Sequence, residues 1–341
     1  MAQHCPSPLS RRQALVGLAT GAAGAWLGMT RLLAAQSDHR DGDGLTLAYW
    51  NTDLNRAGPG LLLRDATRAV SDDIRSALGV IDALGADVLV LSGFDYDAQS
   101  AALAAFNAHL SKPYPHLSAL RPNSGVPTGL DLDGNGRMTD ARDAQAFGRF
   151  PGEGGMAVLS RLPFLPEQGM DLTGRLWRDM PGATMPPLPE PQASIQRLSS
   201  NGHHVIALAL PDGRALRLLT WHASPPAFDA DLPVNLRRNH DETAVWLPLI
   251  DDLAQPLVVI GQANTDPVRG RGDKTALNAL LNHPALQDSH SGDTVDYGAD
   301  LGRMRVSYIL PSRDLRIIGS GHGQQSAHAR HWPIWMRLQI P

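Results

Sequence analysis

The chain has almost no cysteine: Cys5 is the single one in 341 residues. Intramolecular disulfides are therefore excluded, and with Cys5 inside a removable N-terminal segment the mature chain carries no thiol. Long apolar runs are also scarce. The most apolar stretch, from Ala14 to about Met29, is shorter than the roughly 20 residues that span a bilayer. A basic surplus is missing too, with 30 Lys and Arg against 34 Asp and Glu and a net charge of −4. That balance argues against a general nucleic-acid binder, because phosphate backbones are held mainly by Lys and Arg.

At the N-terminus, Ser10-Arg11-Arg12-Gln13-Ala14-Leu15 is a twin-arginine region, followed by the Gly/Ala-rich stretch and by small residues at Ala34-Ala35. The pattern predicts an export signal over residues 1–35 and a mature domain over 36–341, delivered to the periplasm or beyond. Cleavage there removes Arg11, Arg12 and Arg31 and no acid, taking the net charge to −7. A small anionic ligand in a local basic pocket stays compatible with that charge. About 300 mature residues suit one large α/β unit.

Alternating and short apolar runs predict strands over residues 45–51, 87–91, 156–160, 204–210, 216–221, 257–260, 306–310 and 334–338. Helices are expected over 72–84, 100–110, 240–252 and 273–281. Residues 185–193, with four prolines, read as a loop. Strands dominate, with helices between only some of them, which suggests two facing sheets with helices outside.

Several strand ends carry polar residues: Tyr49-Trp50-Asn51, Asp87-Val88-Leu89-Val90-Leu91, Gly155 to Arg161, Thr220-Trp221-His222, Gly261-Gln262-Ala263-Asn264, Val306-Ser307-Tyr308-Ile309-Leu310 and Ala329-Arg330-His331. In this order they resemble the motifs of the endonuclease/exonuclease/phosphatase superfamily. The resemblance implies an α/β four-layer sandwich, two facing mixed β-sheets flanked by helices. It also implies a site in which a Mg²⁺ or Mn²⁺ ion on carboxylates polarises a phosphoryl oxygen and an Asp-supported His stabilises developing charge. Asn51, His222, Asn264 and His331 keep the family's residue types. Four anionic positions do not: they are Gly93, Gln262, Ser307 and Arg330. The expectation is that ordinary metal-dependent phosphoester hydrolysis is absent or severely weakened, leaving a binding or accessory role. The alternative is an active hydrolase with a metal site rebuilt from Asp53, Asp95, Asp97 or Asp266. A metal-free cationic pocket of Arg161, Arg330, His222 and His331 is a further possibility from the same residues.

Asp131, Asp133, Asn135, Gly136, the Arg137 carbonyl and Asp140 match the opening of a calcium loop, with Arg142 at the twelfth position and Asp140 or Asp143 as its substitute. A structural Ca²⁺ is expected there, and with it a calcium-stabilised interaction module as a third functional class. The charged run Arg237 to Glu242 is expected to cap a helix start in solvent. His322, His328 and His331 show no tight zinc-type spacing.

Overall fold

The computed structural model describes residues 44–229 and 232–340. The expected export signal and its junction with residue 36 lie outside the described residues. In chain order the first half carries β1 (Leu45–Asn51), α1 (Leu61–Arg68), α2 (Asp72–Leu84), β2 (Val88–Ser92), α3 (Ala101–Asn107), β3 (His116–Leu120), β4 (Met156–Ser160) and β5 (Met170–Asp171). Next come α4 (Gln192–Ile195), β6 (His203–Ala209), β7 (Ala215–His222), α5 (Val234–Ala244), α6 (Trp246–Asp252) and β8 (Leu257–Gln262). The last part has α7 (Thr275–Leu281), β9 (Val295–Asp296), β10 (Arg303–Met304), β11 (Ser307–Pro311), β12 (Arg316–His322) and β13 (Ile334–Gln339).

Six strands form one sheet in the order β12-β13-β1-β2-β4-β3, and five form a second, β11-β8-β7-β6-β5. Both are mixed: β1 with β2 and β7 with β8 run parallel, and their other neighbours antiparallel. Side chains alternate across each strand, so each sheet has two distinct faces. Leu45, Leu47, Val88, Val90, Met156 and Val158 of the first sheet meet Leu216, Leu218, Val258, Ile260 and Ile309 of the second in one core. The opposite face of the first sheet, with Trp50, Leu89 and Leu91, packs on α1, α2 and α3. The outer face of the second, with Trp221, Val259 and Tyr308, packs on α6 and α7 through Trp246, Ile250, Leu277 and Leu280. The four layers expected from the sequence are thus present.

The helix expected over 240–252 is two, α5 and α6. Pro248 has no N–H to give to the carbonyl four residues back, which interrupts the ladder at the junction. Three elements of some length were not expected: α1, β3 and β12. Strand β12 contains Gly319 and Gly321, which carry no apolar signal but leave room for the Trp335 ring, 3.3–3.5 Å from where their Cβ atoms would lie. The proline-rich 185–193 segment is irregular until α4 begins at Gln192.

Gly261 lies opposite Trp221 in the parallel β7–β8 pair, and a Cβ there would sit 2.1 Å from the Trp221 carbonyl oxygen. Because that neighbour is backbone, Gly261→Ala should lower stability by about 1–3 kcal/mol, as overpacking does. Chemical denaturation measures this, and an unchanged midpoint would contradict the close strand approach.

Candidate functional site

The alternation that builds the inter-sheet core also builds the cleft. Continuing each inner face by two residues leads from Tyr49 to Asn51, Val90 to Ser92, Leu218 through Thr220 to His222, Ile260 to Gln262, and Ile309 back to Ser307. Register places His222 opposite Gln262 and Ser307 opposite Gln262 in one sheet, with Asn51 opposite Ser92 in the other. A row of polar side chains therefore closes one end of an apolar core. Asn51 Nδ2 donates across the sandwich to Gln262 Oε1 at 3.1 Å, and Gln262 Nε2 donates to Asn264 Oδ1 at 2.6 Å. Asn264 Nδ2 in turn donates to the Ala223 carbonyl at 2.7 Å, fixing the loop after His222. Tyr49 shares a 2.6 Å hydrogen bond with Ser92 from beneath this row.

Both retained imidazoles face this row without a carboxylate partner. Burial pushes His222 down to about 3, with His331 contributing, and pushes His331 down to about 4, with Arg330 contributing. Among the described residues, His222 Nδ1, His331 Nδ1, Ser307 Oγ and Thr220 Oγ1 are buried atoms with no hydrogen-bond partner. Trp50 Nε1 holds the His331 backbone by donating to its carbonyl at 3.0 Å. Tyr297 stands edge-on to the His331 ring, with centres 6.2 Å apart.

At the mouth, Arg330 is exposed, and its backbone N–H donates to Asp53 Oδ2 at 3.0 Å. Its guanidinium acts on Asp53, Tyr297 and His331 through space and makes no hydrogen bond or ion pair among the described residues. Burial raises the Asp53 carboxyl above its ordinary range, outweighing Arg330.

The donor set does not fit a hard divalent cation, which wants several anionic oxygens. At Gly93, a Cβ would lie 2.4 Å from Asn51 Oδ1, and φ is +64°; the amide occupies the space a longer side chain needs. Three of the four substitute carboxylates are committed elsewhere. Asp95 accepts the backbone N–H groups of Arg56 and Gly154, each at 2.9 Å. Asp97 caps α3 through Ala101 and Ala102. Asp266 accepts N–H groups from Val268, Arg269 and Arg305 and pairs with the Arg269 guanidinium. Asp53 alone stays at the cleft. Arg161 leaves the expected cationic pocket altogether: it stacks on Tyr114 at 4.6 Å, beyond the end of β4 that pairs with the start of β2.

The run from Arg237 to Glu242 also departs from expectation. Arg238, Asn239, Asp241 and Glu242 are buried within α5. Asn239 Nδ2 donates to the carbonyls of Ser224 and Ala263 at 2.7 and 2.6 Å, and its Oδ1 accepts from Thr265 Oγ1 at 2.6 Å. Glu242 accepts the N–H groups of Ser200 and Ser224, at 2.5 and 2.6 Å. These side chains tie together the loops that follow His222 and Gln262. A sequence pattern reads them as a solvated face, because their partners are backbone groups far away in the chain.

Apart from the cleft, Asp131, Asp133 and Asp143 bring ligand oxygens within 4.8 Å of one another, the only such trio of metal-binding side chains among the described residues. Asp140 is not its third member; its Oδ2 accepts from Asn135 Nδ2 at 2.6 Å. A turn in which Asp143 N–H donates to the Asp140 carbonyl carries the chain one residue past the twelfth position. Asp143 is thereby folded inward, only 1% exposed.

A family model described as the Endonuclease/Exonuclease/phosphatase family matches residues 48–329, and the chain belongs to this family. Among solved structures it is similar to an endonuclease/exonuclease/phosphatase from Beutenbergia cavernae, at 17% identity and TM-score 0.55, covering 87% of this chain and 72% of that one. The human Nocturnin catalytic domain with bound sulfate anion gives 13% identity and TM-score 0.53, covering 89% and 96%. Sphingomyelinase C from Streptomyces griseocarneus gives 16% and 0.50, covering 87% and 99%. These likenesses concern the fold. No curated protein matches the chain.

The two depressed imidazoles set a pH dependence. Below the ordinary histidine pKa of about 6.5 the unfolded chain takes up protons that the folded chain refuses, so stability falls as pH drops from about 6.5 toward about 4. Each such imidazole contributes a slope of about 1.4 kcal/mol per pH unit in that window. Denaturation midpoints measured across it should fall less steeply in His331→Gln than in the parent chain, and an equal slope would show that His331 titrates normally.

Proposed function

We propose that the cleft binds a small anionic or phosphorylated ligand through neutral hydrogen-bonding groups, in an exported protein whose metal-dependent phosphoester hydrolysis is absent or severely weakened. The observation that carries this reading is the Gln262 amide, hydrogen-bonded to the retained Asn51 beside Gly93, so that neither of these two positions of the family's anionic cradle carries a carboxylate. Neutral imidazoles, hydroxyls and amides can donate to a phosphate or sulfate, and the exposed Arg330 adds a long-range and charge-assisted attraction. The rearranged-metal alternative retains only Asp53 at the cleft, with a carboxyl that burial already pushes toward its protonated form.

Calorimetry with inorganic phosphate in the presence of a chelator tests the binding half. Saturable binding that weakens about tenfold in Arg330→Ala supports it, in line with the strength of a charged hydrogen bond. Hydrolysis of a chromogenic phosphodiester that needs Mg²⁺ or Mn²⁺ and disappears in His222→Ala would instead establish the rearranged enzyme.

We also propose a structural Ca²⁺ on Asp131, Asp133 and Asp143, supported by their convergence and the Gly-rich loop that carries them. Thermal unfolding should shift upward with Ca²⁺, by about 2.7 kcal/mol of added stability at a hundredfold excess over Kd. The shift should vanish in Asp143→Asn and persist, reduced, in Asp140→Asn; no shift at millimolar Ca²⁺ would refute the site.

A further inference from the structure

His290 and His322, 32 positions apart in the chain, meet with ring centres 4.6 Å apart and planes at 77°. The geometry points to a binding site between them for a borderline divalent transition-metal ion such as Zn²⁺ or Ni²⁺, and this site is separate from the polar row of the cleft. Two imidazoles sharing one ion at metal–nitrogen distances of about 2.0–2.1 Å bring their ring centres to about 5 Å, close to the spacing of this edge-to-face pair; binding turns the rings so that one nitrogen of each meets the ion.

The hydrogen bonds leave the right atoms available. His322 Nε2 donates to the Asp293 carbonyl at 2.7 Å, which makes Nδ1 the lone-pair nitrogen. His290 Nε2 is buried and has no partner among the described residues. His290 is only 8% exposed, so that nitrogen is shielded from bulk water while lacking any hydrogen bond. The Asp293 carbonyl thus orients the His322 ring in the manner by which outer partners fix the tautomer of metal-bound histidine. Gly292 itself makes the space: a Cβ there would lie 2.4 Å from His322 Cε1 and 3.4 Å from His290 Nε2.

Room for further ligands lies alongside. A cavity of about 410 Å³ is lined by His322, Asp293, Gly323, Gln325, Arg303 and Trp332, and solvent there can complete a coordination shell. The nearby cations are compensated. Arg305, which acts on His290, is held by both oxygens of Asp288. Arg269 is shared between Asp266 and Asp293, and Arg303 pairs with Asp296 at 3.1 Å. Neutral nitrogen donors with few charged oxygens suit zinc or nickel over magnesium or calcium.

Calorimetric titration of the full chain with ZnCl₂ tests the site. One equivalent should bind, with affinity reduced about tenfold or more in both His290→Gln and His322→Ala, and unchanged in His328→Ala. His322 is exposed, so its variant keeps the test usable if the buried His290 substitution unfolds the chain; circular dichroism monitors that. No saturable Zn²⁺ binding overturns the proposal. So does binding that survives both substitutions, or that is lost in His222→Ala or Asp131→Asn, which would put the ion in the cleft or the acidic loop.

Discussion

Asn51 and Gln262 share a hydrogen bond that spans the gap between the two sheets, at the level where the apolar core gives way to polar side chains. Much of the cleft's character depends on that bond being made by neutral groups. A pair of amides satisfies itself inside the protein without an ion to neutralise it, whereas adjacent carboxylates require a cation or a proton. With the amides in place, no strong negative field reaches the two histidines. Burial then decides their state, and both stay neutral near physiological pH. The remaining formal charges, Asp53 and Arg330, sit together toward the mouth, outside the row of neutral donors.

The position of this row is imposed by strand alternation, and the loops beyond it are held by polar strapping. Asn239 and Glu242 reach from α5 to backbone groups of Ser200, Ser224 and Ala263 around the polar end of the second sheet. Buried polar groups are costly unless satisfied, and here the paired atoms fix two loops to one helix. The cleft walls are thus defined by directional bonds, which specify relative loop positions more closely than apolar packing would.

Much of this was legible in the sequence, and the limits have physical causes. The stripe of Ile74, Leu78 and Ile81 marked α2 to its observed ends, and the apolar runs ending in Asn51, His222 and Gln262 marked the strands that form the cleft. Burial by periodicity is readable because apolar side chains report their own environment. The functions of Asp95, Asp97 and Asp266 were hidden because a carboxylate that accepts backbone N–H groups has the same sequence appearance as one that binds a metal. The Arg237–Glu242 run misled for a related reason: its charges are buried against backbone partners that periodicity does not contain. Of the two residues the sequence offered to close the acidic loop, Asp140 and Asp143, a turn brings Asp143 beside Asp131 and Asp133. His290 and His322 could not be paired from spacing at all, since one lies in the loop between α7 and β9 and the other at the end of β12.

The amide beside Gly93 limits what position 93 can carry. Restoring a glutamate at that position would not simply add a ligand, because its first side-chain carbon would collide with Asn51, and the backbone has turned into a region that L-residues seldom adopt. Any side chain introduced at position 93 must therefore displace the Asn51 amide and hold a strained backbone, so a substitution there would disturb the Asn51–Gln262 bond and the whole polar row with it.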